Sequence, residues 1–393
     1  MTADRAELGR RLAYFRGIAR PRMTQQQLAD RAGVALGTVR KIERGERAAS
    51  GRMLEALADA LGIDVPRLLG EATAPCAVRD ALPAVSEAIA VYDVPGAGTV
   101  RPLSVLEGEV QQCTAWRVAA QYRHIVRTAA TLLPELARAL HQTRGANTER
   151  VAALLVSAYR GADAAAYKYQ AWDLSARLVE LMRWAAGQCG DPLIGATVAY
   201  VRTEVFFAAR AHRAGLSALE SALDRTPAPR TPRSAAARGA LHMRAAVIAA
   251  RAGDATAARA HLAEAEQMAG RVREGLYGGT AFGPDSLRVH RVAVSVSLGD
   301  DHVGEALSVA RTWRPPADMP AERRSGFFIE LARAQLWAGR PDDAFESLAA
   351  ARRIAPLHTR EHPWVRHDAA TLRRLKRSDA AAVTAFAEWC HAQ

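Results

Sequence analysis

The sequence predicts an all-α protein made of a small helical head joined to a long helical solenoid, and three observations carry that prediction. Residues 24–47 hold the capping and turn residues of a helix-turn-helix. From Leu103 onward alanines recur at helical spacing, and aromatic content over the whole chain is only 6%, so antiparallel helices must approach closely. Glycines then punctuate helix pairs at Gly253, Gly299 and Gly339, as in a repeat array.

The elements follow in order. Residues 4–19 make an amphipathic helix whose apolar side is Leu8, Leu12 and Phe15. Thr24 stands at a helix N-cap with Gln27 in the capping-box slot, and Leu28, Ala29 and Ala32 form one face. Gly33 supplies a left-handed C-cap, Val34 plugs the turn, and residues 35–43 restart a helix that buries Val39 and Ile42. Met53, Leu54, Leu57, Ala58 and Leu61 mark a further helix. Residues 1–70 are therefore a complete small domain.

Through Thr24-Gln25, Leu28-Ala29, Ala32-Gly33-Val34, Thr38-Val39, Ile42-Glu43 and Gly45 this head resembles the lambda-repressor and Cro-like helix-turn-helix family, also called XRE. The resemblance implies a DNA reader. Thr24 and Gln25 would open the first motif helix, with Gln25 bracing a phosphate, while Ala35, Leu36, Gly37 and Thr38 open the recognition helix in the major groove. Leu36 departs from the family's usual polar residue and suits a thymine methyl. Arg40 is the expected guanine reader, and Lys41, Arg44 and Arg47 are expected on phosphates.

Composition bounds the rest. A net charge of +12 over 393 residues fits a polyanionic partner. The arginine excess is not itself functional evidence, because only Lys41, Lys168 and Lys376 are lysine and Asn147 is the sole asparagine, a bias expected of a GC-rich genome. No stretch suits a membrane span or a signal peptide, so the expected location is cytoplasmic, with no membrane partner. Four cysteines without CxxC spacing imply neither a disulfide framework nor a zinc cluster.

Residues 71–102, with four prolines and a Pro95-Gly96-Ala97-Gly98 turn, read as a linker containing one short helix near 84–91. Residues 103–393 read as a tetratricopeptide-like array. Two units fit well: Ala246, Ala258, Leu262 and Ala265 around Gly253, and Ala332, Ala344, Leu348 and Ala351 around Gly339, closed by Pro356. Gly299 and Gly215 mark looser units, and Asp191-Pro192 opens another helix. Two breaks stand out. Residues 225–233 (RTPAPRTPR) form a connection no helix can cross. Residues 275–284 (GLYGGTAFGP) lack the ending of a phosphate loop and read as a long loop or a lip over the concave face, with Phe282 folding inward near Arg288 and His290.

An enzyme finds little support. His358-Thr359-Arg360-Glu361-His362 satisfies the H-x-x-E-H zinc-protease pattern, but that pattern needs a continuous helix, and Pro356 and Pro363 bracket the string. A loop between repeats explains it better. No catalytic residue, metal site or cofactor is expected.

The whole layout resembles regulators that join an XRE head to tetratricopeptide repeats, among them peptide-sensing Gram-positive and actinobacterial ones. The resemblance implies a homodimer on a palindromic operator in double-stranded DNA, with a regulatory peptide, small molecule or small protein in the solenoid groove. The alternative is a ligand-independent repressor whose repeats only dimerise or dock a partner protein. The near-absence of asparagine departs from the peptide-sensing pattern. Tyr167, Trp172, Arg202, Phe206, His242, Arg288 and His290 are the expected groove residues.

Overall fold

The computed structural model describes residues 2–19, 22–61, 63, 65–69, 78–375 and 380–392. Five helices build the head: α1 (Thr2–Ile18), α2 (Gln25–Ala32), α3 (Leu36–Glu43), α4 (Gly51–Leu61) and α5 (Val65–Leu69). They enclose one core of Leu8, Leu12, Leu28, Val39, Ile42, Leu57 and Leu68. All but Leu68 belong to the apolar set that helical periodicity picks out.

The remainder is a helical repeat domain. Its first element, α6 (Leu82–Ala90), buries Leu82, Val85, Ala88 and Ile89 in the main core. The second half of the expected linker is thus part of the solenoid, held by ordinary apolar burial; residues 71–77 lie outside the described residues. Helices then alternate between two layers. The inner layer is α7 (Leu103–Val118), α9 (Ala146–Lys168), α11 (Pro192–Ala208), α13 (Pro232–Arg251), α15 (Pro284–Leu298) and α17 (Ala321–Trp337). The outer layer is α8 (Tyr122–Gln142), α10 (Trp172–Ala186), α12 (His212–Arg225), α14 (Ala255–Ala269), α16 (Val303–Thr312) and α18 (Pro341–Ile354). Each inner helix packs on its outer partner and on the next inner helix. Three further helices, α19 (Pro356–Glu361), α20 (Pro363–Leu375) and α21 (Ala380–Trp389), close the array.

The turn between inner and outer helices needs a left-handed residue. Gly253 (φ 80°) and Gly339 (φ 69°) supply it as expected, but Ala120 (φ 57°), Gln170 (φ 61°) and Arg210 (φ 54°) occupy the same place earlier in the chain. These three turns lack the glycine that would reveal them, which is why only part of the array is legible. Gly215, expected at a turn, lies inside α12, where a Cβ would collide with Ile248 and Phe206. Its role is close helix packing.

Residues 275–284 depart from the all-α expectation. They form an antiparallel hairpin, β1 (Gly275–Tyr277) and β2 (Thr280–Phe282), paired Tyr277 to Thr280 across Gly278 and Gly279. Both glycines have positive φ, 55° and 74°, as a two-residue type I′ turn requires. Phe282 is fully buried against Gly239, where any Cβ would overlap its ring. Glu274 clasps the hairpin base onto α15, its Oε2 accepting the Asp285 and Ser286 N–H groups at 2.9 Å. That carboxylate sits at a helix N-terminus, where the dipole favours it.

The head rests on the far end of the array. Phe15, Ile18 and Met23 face Phe345, Ala349 and Phe386 across a narrow cleft, and Ile18 of α1 packs against the apolar cluster that α18 and α21 share. Among the described residues no helix is long and apolar enough to cross a membrane.

Candidate functional site

Two places combine polar side chains with positional precision: the α2–α3 face of the head and the hollow inside the repeats. On the head, Thr24 Oγ1 accepts the Gln27 N–H at 3.1 Å and Gln27 Oε1 accepts the Thr24 N–H at 2.8 Å, so the expected capping box is formed. Gly33 takes φ 62° as the left-handed cap. The orientation of α3 is fixed by Glu43, which receives Arg16 Nε at 2.6 Å, Arg16 Nη2 at 2.9 Å and Gln25 Nε2 at 2.7 Å. One buried carboxylate therefore ties α1, α2 and α3 together. Gln25 keeps one amide hydrogen for an outside acceptor.

Ala35, Gly37, Arg40, Lys41, Arg44 and Arg47 are exposed on this face, with Thr38 half-buried. Arg47 Nη1 donates to Thr38 Oγ1 at 3.2 Å, and Arg44 pairs with Glu46 at 2.9 Å. Leu36 is half-buried against the head's own core rather than fully presented. Its apolar side chain takes the nearest dry surface, which narrows its expected part in base reading.

Inside the repeats, α7, α9, α11, α13, α15 and α17 surround a cavity of about 240 Å³, closed in part by the hairpin. Six cations line it: Arg117, Arg160, Lys168, Arg244, Arg251 and Arg323. Four carboxyl groups join them: Asp163, Glu204, Glu322 and Glu330. Lys168 Nζ meets Glu322 Oε1 at 2.7 Å, and Arg244 Nη2 meets Glu204 Oε1 at 3.3 Å. The Lys168 ammonium holds Glu322 well below the usual carboxylate range despite its burial. Burial and the neighbouring Glu204 push Asp163 well above that range, and burial raises Glu330 to about 8.

Hydrogen bonds fix two histidine tautomers. His290 Nδ1 lies 2.8 Å from the Ser286 carbonyl and must donate to it, leaving Nε2 to accept Arg323 Nη1 at 3.0 Å. His358 Nε2 accepts from Lys168 Nζ at 3.2 Å, so its Nδ1–H faces Ser325 Oγ at 2.7 Å. Both rings are neutral: burial and Arg323 hold His290 well below its ordinary range, and burial with Lys168 pushes His358 down to about 3. Arg323 Nη2 also donates to Tyr200 Oη at 2.6 Å, and the Arg244 guanidinium lies 4.4 Å from the centre of the Tyr200 ring.

Of the groove residues expected from sequence, Tyr167 and His290 line this cavity. The other five do not. Trp172 stands at its edge, 40% exposed, with its ring against Tyr167. Arg202 and Phe206 line a separate cavity of about 320 Å³ between α10, α11 and α12. His242 is paired with His261 at 3.0 Å, and Arg288 is held by Asp285 at 2.6 Å. Phe282 does fold inward, into the slot at Gly239. The 358–362 string is a short helix, α19, ending at Glu361, rather than a loop. Glu361 is turned to Arg79 and Arg366 at 2.7 and 2.9 Å. Among the described residues no group of three or more His, Cys, Asp or Glu could hold a metal ion.

The missed cavity residues share a signal. On α9 they fall at Arg160, Asp163 and Lys168, on α11 at Tyr200 and Glu204, and on α13 at Arg244 and Arg251. Each set is a polar stripe at helical spacing on a helix otherwise buried and rich in alanine. A charged stripe on such a helix marks a lined hollow.

With this geometry in place, the head is a DNA-binding helix-turn-helix domain: residues 20–68 match the helix-turn-helix family. Among solved structures, the chain is similar to Bacillus thuringiensis PlcR in complex with the peptide PapR7 and DNA, at 13% identity and a TM-score of 0.28 over 67% of this chain and 94% of that one. No curated protein sequence matches.

Proposed function

We propose that the chain is a dimeric transcription regulator whose operator affinity is set by a small molecule held in the repeat-domain cavity. The observation that carries this reading is that every inner helix contributes a polar side chain to one hollow. A ligand there touches all the repeats at once, and small rotations between repeats sum into a change of curvature. Because α1 sits on α18 and α21, that change reaches the head directly. The volume of about 240 Å³ is below the usual range for drug-sized ligands, which favours a small molecule over a peptide of several residues. The cavity is a place of binding rather than turnover in this reading. On DNA, Arg40 reads a base edge, while Lys41, Arg44 and Arg47 meet phosphates, two heads engaging half-sites about 34 Å apart.

The test is an operator titration of the full chain with and without a small-molecule extract of its native host. At least a tenfold change in affinity is expected, lost when the cavity is altered by Tyr167→Ala. Operator binding that is the same with buffer and with extract overturns ligand control and leaves a constitutive DNA binder.

A further inference from the structure

The cavity's charges do not balance internally. Among the described residues no carboxylate forms an ion pair with Arg117, Arg160, Arg251 or Arg323, although all four line the hollow. What satisfies two of them is backbone: Arg117 Nη2 donates to the Gly279 carbonyl at 2.6 Å, and Arg160 Nη1 to the Gly278 carbonyl at 2.8 Å. The hairpin tip thus places neutral oxygens where buried guanidinium groups call for charged ones.

Other donors are left open. Arg244 Nε and Arg251 Nε are buried with no acceptor, and so are one oxygen each of Asp163 and Glu330. Burial raises both carboxyl groups, and Glu330, at about 8, keeps at neutral pH a proton it can donate. Arg244 Nε, Arg251 Nε and the Glu330 carboxyl are therefore donors awaiting an acceptor. They are also spread out: Arg244 and Arg251 are two turns apart on α13, about 10 Å along the axis.

We propose that the cavity binds a small organic anion carrying at least two acidic groups, one displacing the hairpin-tip carbonyls from Arg117 and Arg160 and the other reaching Arg244 and Arg251. The acidic groups are carboxylates or phosphates, which present the same forked oxygens to guanidinium. This rests on the reading of the cavity as a ligand site and names the ligand's chemistry.

The experiment is thermal unfolding of the full chain with citrate and with 3-phosphoglycerate, against glycerol and spermidine. The two anions are expected to raise the midpoint by about 3 °C or more at concentrations well above their dissociation constants. Stronger protection by citrate assigns a polycarboxylate, and stronger protection by 3-phosphoglycerate a phosphate ester. Arg160→Gln and, independently, Arg251→Gln should abolish the shift, because each removes the guanidinium from one of the two acidic-group positions. Arg213→Gln, which alters an exposed arginine of α12, should keep it. The unliganded midpoint of each variant reports whether it folds. The assignment is overturned if neither anion protects, if glycerol or spermidine protects as well, or if protection survives in both cavity variants. Operator titration in the same samples separates the two claims: an anion that fills the cavity without changing operator affinity sinks ligand control but leaves the anion site standing.

Discussion

The head and the repeat domain use cationic side chains in opposite ways. On the head, Arg44 is 62% exposed and pairs with Glu46, itself 49% exposed, so its charge stays solvated until a partner strips the water. In the cavity, Arg244 and Lys168 are each 19% exposed and have already lost most of theirs. The difference teaches where specificity for an anion can be built. A solvated charge attracts any polyanion and is screened by salt. A buried charge is costly until matched, so it selects a ligand of the right shape.

The comparison can be broken first at a buried pair. Glu322→Ala leaves Lys168 uncompensated inside the protein and should cost about 3–5 kcal/mol of stability in denaturant unfolding; a loss near that of an exposed pair would show the cavity to be wet. Acid should act next. His358 is held near 3 when folded, so the unfolded chain takes up its proton first, and stability present above pH 6.5 drains away as the pH falls toward 3. That amounts to about 2 kcal/mol at pH 5. His290 and His362, both lowered by burial, add in the same direction. Glu330 works oppositely: raised to about 8, it erodes stability as the pH climbs from 4.5 through 8. Unfolding midpoints between pH 5 and 9 should therefore fall on both sides, with Glu330→Gln flattening the alkaline side.

Overpacking comes third. Gly239→Ala drives a methyl into the Phe282 ring and should cost about 1–3 kcal/mol and unseat the hairpin, seen as faster proteolysis there. On DNA, Arg40→Ala should lose about 1–3 kcal/mol at the operator and relax specificity, whereas Lys41→Ala should weaken all sequences alike and lower the salt slope by about 1. If Arg40→Ala left sequence preference intact, the assignment of α3 as the reading helix would fail. The smallest effect belongs to Glu46→Ala, which should change stability by less than about 1 kcal/mol.

The head was legible because its signals are local. Thr24, Gln27 and Gly33 specify a cap, a box and a stop within ten positions, and Leu28, Val39 and Ile42 need only their own helices to show a buried side. Even there, the Glu43 clasp with Arg16 and Gln25 was invisible, since it joins residues on three helices. The solenoid was legible as a class, and at Gly253 and Gly339 as units. It was obscured where Ala120, Gln170 and Arg210 take the left-handed turn without glycine. The cavity was the least legible part. Its side chains come from helices that only the fold brings together, and Phe206, an aromatic the sequence singles out, lines a different cavity. The hairpin's Gly278-Gly279 pair was a readable turn signal that the helical context outweighed.

The seat of the head carries a consequence for how the chain is made. Ile18 packs against the cluster that holds Phe345 and Phe386, so a helix made early is docked by two that leave the ribosome long after it. During synthesis the head folds with nothing to lean on. A DNA-binding head so produced spends the length of translation without that contact, and gains it only when α18 and α21 arrive.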